Sequence, residues 1–382
     1  MRILYALNSS QPGGMEQHVL DLVEGMTGFG HEVFVCCPNG VVSDTYKKAG
    51  AYVVNMEVKS DFDLRYIFAL AKFLRDKKIQ VVHAHELKTV TNAVLSAFFA
   101  GVGVRVAHTH TPISEWRVPQ FMKTPAYIGY ALLVNFFTTC EIALTRSRKQ
   151  VKIKEGMFAN KIVVIPNGVR VANFILSDGE RLENKRRVRA SYRIPEDAFV
   201  FGMTGRMTVE KGHLSLIDGF AEFLKSFNVE RTKVGLFLAG GGELEELIKR
   251  KIEGIGFPCA VAVSGIFPAG EKLAILSAFD VFVFPSLSEG FGIGLVEAMA
   301  FGLPIVCSDL DVLKEVAGST VVYFEAGNSR NLAEKLYGIY ERRDNLANLS
   351  FSARERVREL FSFEKFAQNY NSLYSKLVES NR

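Results

Sequence analysis

The chain has 382 residues, 48% hydrophobic and 23% charged, a length that suits two folded domains and a balance unlike that of a disordered chain. Residues 1–170 carry 20 Lys and Arg against 13 Asp and Glu, and the remainder 26 against 28, so the net charge of +5 comes from the first half. That half suits an anionic acceptor or an anionic membrane face, dispersed surface charge accounts for it equally well, and nucleic acid is not expected as a partner.

The chain opens Met1-Arg2-Ile3-Leu4-Tyr5 directly into a strand pattern, so no leader is expected. Short strands are expected at Arg2–Leu7, Glu32–Cys37, Ala51–Asn55, Gln80–His85, Val104–His108, Ile142–Thr145 and Lys161–Ile165. Amphipathic helical stretches such as Glu16–Met26, Leu64–Asp76 and Thr89–Ala100 lie between them. The polar segment Ser177–Arg193 reads as a linker plus the first helix of a second half. There the rhythm repeats at Phe199–Met203, Val234–Ala239, Ala260–Ser264, Val281–Phe284 and Pro304–Cys307. Apolar strands alternating with helices imply two α/β, doubly wound parallel sheets, with ligands held at strand carboxyl ends facing one cleft. After Asn345 the pattern is helical, and Phe363–Leu377 is amphipathic and must dock, with the first domain as one surface for it. The expected division is 1–175 and 176–360, with a helix over 361–382 returning to the first domain.

The five cysteines, Cys36, Cys37, Cys140, Cys259 and Cys307, form no C-x-x-C pair and mostly sit in apolar runs, as buried thiols of a reducing compartment do. Cytoplasm is therefore expected. The apolar run Ala126–Phe137 falls short of the ~20 residues a spanning helix needs. With Trp116, Arg117, Phe121 and Lys123 before it, an interfacial anchor is one reading; a core or cleft-lining helix fits better.

Several clusters carry chemistry. Gly13-Gly14-Met15-Glu16 turns the first strand into the first helix, where backbone N–H groups can meet a phosphate, although many such turns hold glycines. His83, His85, His108 and His110 close two strands in pairs. They lack the cysteine or carboxylate spacing of a zinc site and read mostly as packing residues, with one histidine presented to a ligand. Asp61-Phe-Asp63 and Asp309-Leu-Asp311 each precede a helix and read as helix-start acids, so no metal is expected. In Gly202-Met-Thr-Gly-Arg206-Met-Thr-Val-Glu-Lys211-Gly-His213, Arg206 and Lys211 follow a strand and suit a diphosphate. Gly240-Gly241-Gly242-Glu243 reads equally as ligand backbone or as a tight turn.

The densest signal is Ser-Glu289-Gly-Phe-Gly-Ile-Gly-Leu-Val-Glu297-Ala-Met-Ala-Phe-Gly-Leu-Pro. A strand ending at Pro285 is expected to lead into a glycine loop over Gly290–Gly294 and a helix from near Leu295. Acids on both sides of an anion-binding helix start fit an anion with hydroxyls at both ends, which is the shape of a sugar nucleotide. A crossover carrying two solvated acids is the plain alternative. No G-x-G-x-x-G stands in the right context, which disfavours a dehydrogenase.

With Gly13–Glu16, His108–His110, Ile165-Pro-Asn-Gly-Val169, Gly205–Gly212 and Pro285–Pro304 in this order, the chain resembles the family 4 retaining glycosyltransferases (glycosyl transferases group 1) along nearly its whole length. The resemblance implies a GT-B fold, two Rossmann-like domains around a central cleft, with a nucleoside-diphosphate sugar as donor and no cofactor or metal. Arg206 and Lys211 then hold the diphosphate, Glu297 the ribose, and Glu289 with Gly290, Phe291, Gly292, Ile293, Gly294 and Leu295 the donor sugar. His110 lies at the reacting sugar and Gly14 against the phosphates, with Glu16 a weaker correspondence. The implied catalytic set is His110, Glu289, Arg206 and Lys211. The implied reaction is hexose or N-acetylhexosamine transfer to a glycan or lipid-linked hydroxyl in cell-surface polysaccharide or glycolipid synthesis. It would take place in the cytoplasm or peripherally on the inner membrane face, with domain closure over the donor. Arg170, where the family often has an acid, and Gly294 depart from the pattern and bear on donor choice. A GT-B-like sugar-nucleotide epimerase and a non-catalytic sugar-nucleotide-binding protein are the alternatives.

Overall fold

The structure is a computed structural model that describes residues 1–116 and 119–381; Arg117, one of the expected interfacial residues, lies outside the described residues. Two compact units divide the chain, one of residues 1–168 and 363–382, the other of 169–362. The division falls earlier than a break after 175. The reason is local: Val169 N–H donates to Phe361 O at 2.8 Å, and Val169 bridges Ser362, tying both ends of the second unit together.

In the first unit seven parallel strands run β1 (Arg2–Ala6), β2 (Glu32–Cys37), β3 (Tyr52–Asn55), β4 (Val81–His85), β5 (Val104–His108), β6 (Cys140–Ala143) and β7 (Ile162–Val164). Their order in the sheet is β3-β2-β1-β4-β5-β6-β7, with Ile3 opposite Val81 and His85 opposite His108. Helices cover both faces, so the central strands are buried throughout, which is why they read as unbroken apolar runs. β6 lies two residues before its expected place. Thr145 has left the sheet to cap the next helix, its Oγ accepting from Arg148 N–H at 3.1 Å.

The second unit holds β8 (Phe199–Thr204), β9 (Val234–Ala239), β10 (Ala260–Val263), β11 (Val281–Phe284), β12 (Ile305–Ser308) and β13 (Val322–Phe324), in the order β10-β9-β8-β11-β12-β13. β13 has no counterpart in the expected strands, being three residues long and only partly buried. The helix Asp178–Ser191 opens with a capping box between Ser177 and Glu180. It is anchored by buried Arg189, which donates to the carbonyls of Ala278, Glu196 and Ala198 and to Asp280.

The last helix, Phe363–Ser380, presents Phe366, Ala367, Tyr370 and Tyr374 to the first unit. It approaches the helix Gly14–Gly28 so closely that a Cβ on Gly25 would stand 2.9 Å from the Ala367 Cβ. Tyr374 shares a 2.7 Å hydrogen bond with His83 Nδ1, and His31 shares one with Asn371.

The helix Gln120–Phe137 is not an all-round core element. Tyr130, Ala131 and Val134 are buried on one side, while Phe121, Ile128, Leu132 and Phe136 are exposed on the other. Among the described residues, no helix is long and apolar enough to cross a membrane.

Replacing Tyr370 by alanine empties a fully buried position beneath the last helix and is expected to cost about 3–5 kcal/mol. Chemical denaturation reads this as a lowered midpoint for the first unit; an unchanged midpoint would show that the helix is not seated there.

Candidate active site

The chain leaves β8 toward β9 and β11 toward β12, so the connections part at the carboxyl ends of two adjacent strands. Such a switch point opens a crevice between the two loops that follow. Here the loops are fastened together: Leu287 N–H donates to Glu210 O at 2.7 Å. Gly212, at φ 73°, passes so near that a Cβ would fall 2.0 Å from the Pro285 carbonyl oxygen, which no side chain tolerates.

This junction brings Lys211 and Glu289 into contact, Nζ donating to Oε1 at 2.6 Å, with Ser286 Oγ–H donating to the same oxygen at 2.8 Å. Glu289 is 8% exposed, so these two partners replace the water its carboxylate gives up. Arg206 is exposed and makes no ion pair among the described residues. Glu297, on the helix Ile293–Phe301, pairs with Lys272 at 2.6 Å. Lys272 was absent from the sequence-derived set because its partner stands far along the chain and only folding joins them.

The helix begins at Ile293, two residues before the expected start, and Gly294 therefore belongs to its first turn. Gly292, at φ 90°, makes the entry, and its carbonyl accepts from Leu295 and Val296 N–H. Phe291 packs against Phe361 and Leu295 is fully buried, so these two offer a ligand backbone only, alongside Gly290, Gly292, Ile293 and Gly294. The Gly240–Gly242 turn is packed onto the β8 loop, Gly241 O accepting from Met207 N–H at 2.9 Å.

In the first unit the connections part between β1 and β4. Gly13 is an extended N-cap and Gly14 the first residue of its helix, exposed beside the buried side chain of Glu16. Five imidazoles gather at the strand ends. His83 and His85 come from β4, His108 from β5, and His110 lies just beyond it, half-buried. His18 joins from the helix, a member the sequence reading did not include. Ring centroids stand 4.1 Å apart for His108–His110, 4.3 Å for His83–His85 and 4.8 Å for His18–His108. His18 Nδ1 shares a 2.8 Å hydrogen bond with Asn167 Oδ1. Burial lowers the His18 pKa from 6.5 to about 4 and carries the other four well below the ordinary value, with neighbouring imidazoles adding to the effect.

The peptide between His108 and His110 is clamped. Buried Lys152 donates to Thr109 O at 2.9 Å and to Glu141, which in turn accepts from Thr109 N–H and the Tyr130 hydroxyl. In the two D-x-D triplets, Asp63 accepts from Tyr66 and Lys59 N–H, and Asp309 from Ala326 N–H.

Two parallel doubly wound sheets, the second carrying a lysine–carboxylate pair and a helix start at its switch point, define the class of GT-B glycosyltransferases. The profile described as Glycosyltransferase Family 4 matches residues 12–173, and that described as Glycosyl transferases group 1 matches 184–356. The chain belongs to the family 4 glycosyltransferases. It is 24% identical over 360 residues to the capsular polysaccharide biosynthesis glycosyltransferase CapM of Staphylococcus aureus, covering 91% of this chain and 90% of that one. It is 27% identical over 357 residues to the phosphatidyl-myo-inositol mannosyltransferase of Mycolicibacterium smegmatis, covering 91% and 86%. Its fold is similar to that of Anabaena HepE in complex with UDP-glucose, at a TM-score of 0.83 and 20% identity over 98% and 100% of the two chains.

Because the five clustered histidines fold neutral, unfolding below pH ~6.5 lets them take up protons the native state refuses. Stability is complete above that value and falls as pH drops from 6.5 toward 4, with His18 alone accounting for about 3 kcal/mol. Thermal unfolding of chelator-treated protein at pH 7.5 and pH 5 tests this, and equal midpoints would contradict it.

Proposed function

We propose that this glycosyltransferase moves a hexose or N-acetylhexosamine from a nucleoside-diphosphate sugar to a hydroxyl of a glycan or lipid-linked acceptor. Transfer proceeds with retention and without a metal, in cell-surface polysaccharide or glycolipid synthesis. The observation that carries this reading is the Lys211–Glu289 pair at the β8–β11 switch point. A diphosphate bound there competes with Glu289 for Lys211, and Arg206 supplies a second cation. With Lys211 shared between carboxylate and diphosphate, Glu289 keeps its cation and its other oxygen accepts from hydroxyls of the donor sugar. The same sharing at Lys272 leaves a Glu297 oxygen for the ribose. Backbone N–H groups at Gly292–Gly294 meet phosphate oxygens at the helix start. Following the family resemblance, His110 acts at the reacting sugar and Gly14 contributes a backbone contact to phosphate.

The acceptor hydroxyl attacks the anomeric carbon from the face the diphosphate leaves. The C–O bond to phosphate breaks as the new glycosidic bond forms, and the departing diphosphate takes the hydroxyl proton. The protein contributes position and charge stabilisation. HepE, the structural neighbour described with UDP-glucose, supports a nucleotide sugar as donor. Lys211→Ala is expected to lower kcat by ~10²–10³, the loss typical of one charge-stabilising donor, while Glu297→Ala chiefly raises KM for the donor. A Lys211→Ala variant with near-normal turnover would overturn the assignment, and free epimer formed from donor alone would replace it with an epimerase.

An anionic membrane surface is the proposed source of the acceptor. At 100° per residue Phe121, Ile128, Leu132 and Phe136 share one face of the helix Gln120–Phe137, with Phe121 77% and Phe136 66% exposed. Phe158 extends the patch, its ring 6.3 Å from Phe136. No Asp or Glu occurs between residues 116 and 140, and Lys161 stands at the helix end, donating to Thr138 O at 2.8 Å. An aromatic face free of acids and edged by lysine suits anionic headgroups over acyl chains. Cosedimentation with phosphatidylglycerol vesicles should fall at least about tenfold in Phe121→Ser/Phe136→Ser, since each buried Phe contributes ~1.5–3 kcal/mol. Unmodified protein that stays in the supernatant would refute the docking face.

A further inference from the structure

His18, His85 and His108 are all buried, and each offers a ring nitrogen within 4.8 Å of the others. We propose that these three histidines form a site for a single divalent cation of the zinc type, one that cross-links the helix Gly14–Gly28 to β4 and β5.

The orientation of the rings carries the argument. His18 Nε2, His85 Nε2 and both nitrogens of His108 have no hydrogen-bond partner among the described residues. The opposite nitrogens of the first two are occupied: His18 Nδ1 by Asn167 at 2.8 Å and His85 Nδ1 by His110 at 3.4 Å. A metal-binding imidazole is held in this way, one nitrogen fixed by a hydrogen bond and the other left with a bare lone pair. Were the three residues present for packing alone, each bare nitrogen would carry its desolvation cost with no return, and an aliphatic side chain would fill the space without it.

The donor set names the ion class. Three imidazoles with neither thiolate nor carboxylate favour zinc, nickel or copper over calcium or magnesium. Zinc–nitrogen bonds of about 2.0–2.1 Å place ligand nitrogens ~3.3 Å apart, so the rings turn inward by about an ångström on binding. The site draws no ligand from either D-x-D triplet, and no step of sugar transfer passes through the ion. Its role is to join three elements of the first unit.

The test uses the full chain, free of any affinity tag and stripped with a chelator. Isothermal titration with Zn²⁺ is expected to give one ion per chain and a higher melting temperature. Co²⁺ in its place is expected to show the intense visible bands of four-coordinate cobalt, a readout that needs no variant. Asn167→Ala removes no ligand but releases His18, and should weaken Zn²⁺ binding about 10–100-fold. His108→Leu should weaken it further. Cobalt bands of the six-coordinate aqueous kind, or a Zn²⁺ affinity unchanged by Asn167→Ala, overturns the proposal.

Discussion

The second unit is organised around one constraint: a carboxylate that is almost wholly buried must keep a cation beside it. Glu289 meets that requirement through Lys211 and Ser286, and this contact only exists because two loops from adjacent strands are fastened at Gly212 and Leu287. Breaking one partner of such a pair leaves an uncompensated charge, which is far costlier than replacing both. The glycines, the strand order and the helix entry at Gly292 all follow from holding that couple at a strand end. A second couple, Lys272–Glu297, repeats the arrangement on the following helix.

The first unit solves a similar problem for a different purpose. Lys152 and Glu141 are buried together, and their remaining hydrogen-bonding capacity is spent on Thr109 and the Tyr130 hydroxyl. The backbone between two histidines is therefore fixed by charge-assisted bonds and not by loop packing. Rigid placement of His108 and His110 follows, on a strand end that would otherwise be free to shift.

Much of the fold was legible because fully buried parallel strands appear as continuous apolar runs; Glu32–Cys37, Val104–His108, Val234–Ala239 and Val281–Phe284 coincide with their expected limits. β13 was not, since three residues, two of them half-buried, make no run. The displaced β6 shows why strand ends are harder: Thr145 looks strand-like in composition, and only its capping bond takes it out of the sheet. At the site, the residue types at the strand ends were readable from spacing, as was the position of the glycine turn. Pairings were not. Nothing local joins Lys211 to Glu289, Lys272 to Glu297 or His18 to His108, because each pair is made by the order of strands in the sheet. The exposed face of Gln120–Phe137 was not legible for a related reason: composition reveals that a helix is apolar, but not which side its neighbours cover.

The last helix belongs to the unit built by the first residues, so the whole second unit is an insertion between two parts of the first. During synthesis the sheet of β1–β7 emerges long before Phe363–Arg382, and the surface destined for Phe366, Tyr370 and Tyr374 stays uncovered while the intervening chain is made. The inserted unit has all its strands available and can complete itself on the ribosome. Completion of the first unit therefore waits until Phe363–Ser380 has been made, and a chain cut before that helix carries one finished unit and one unfinished unit.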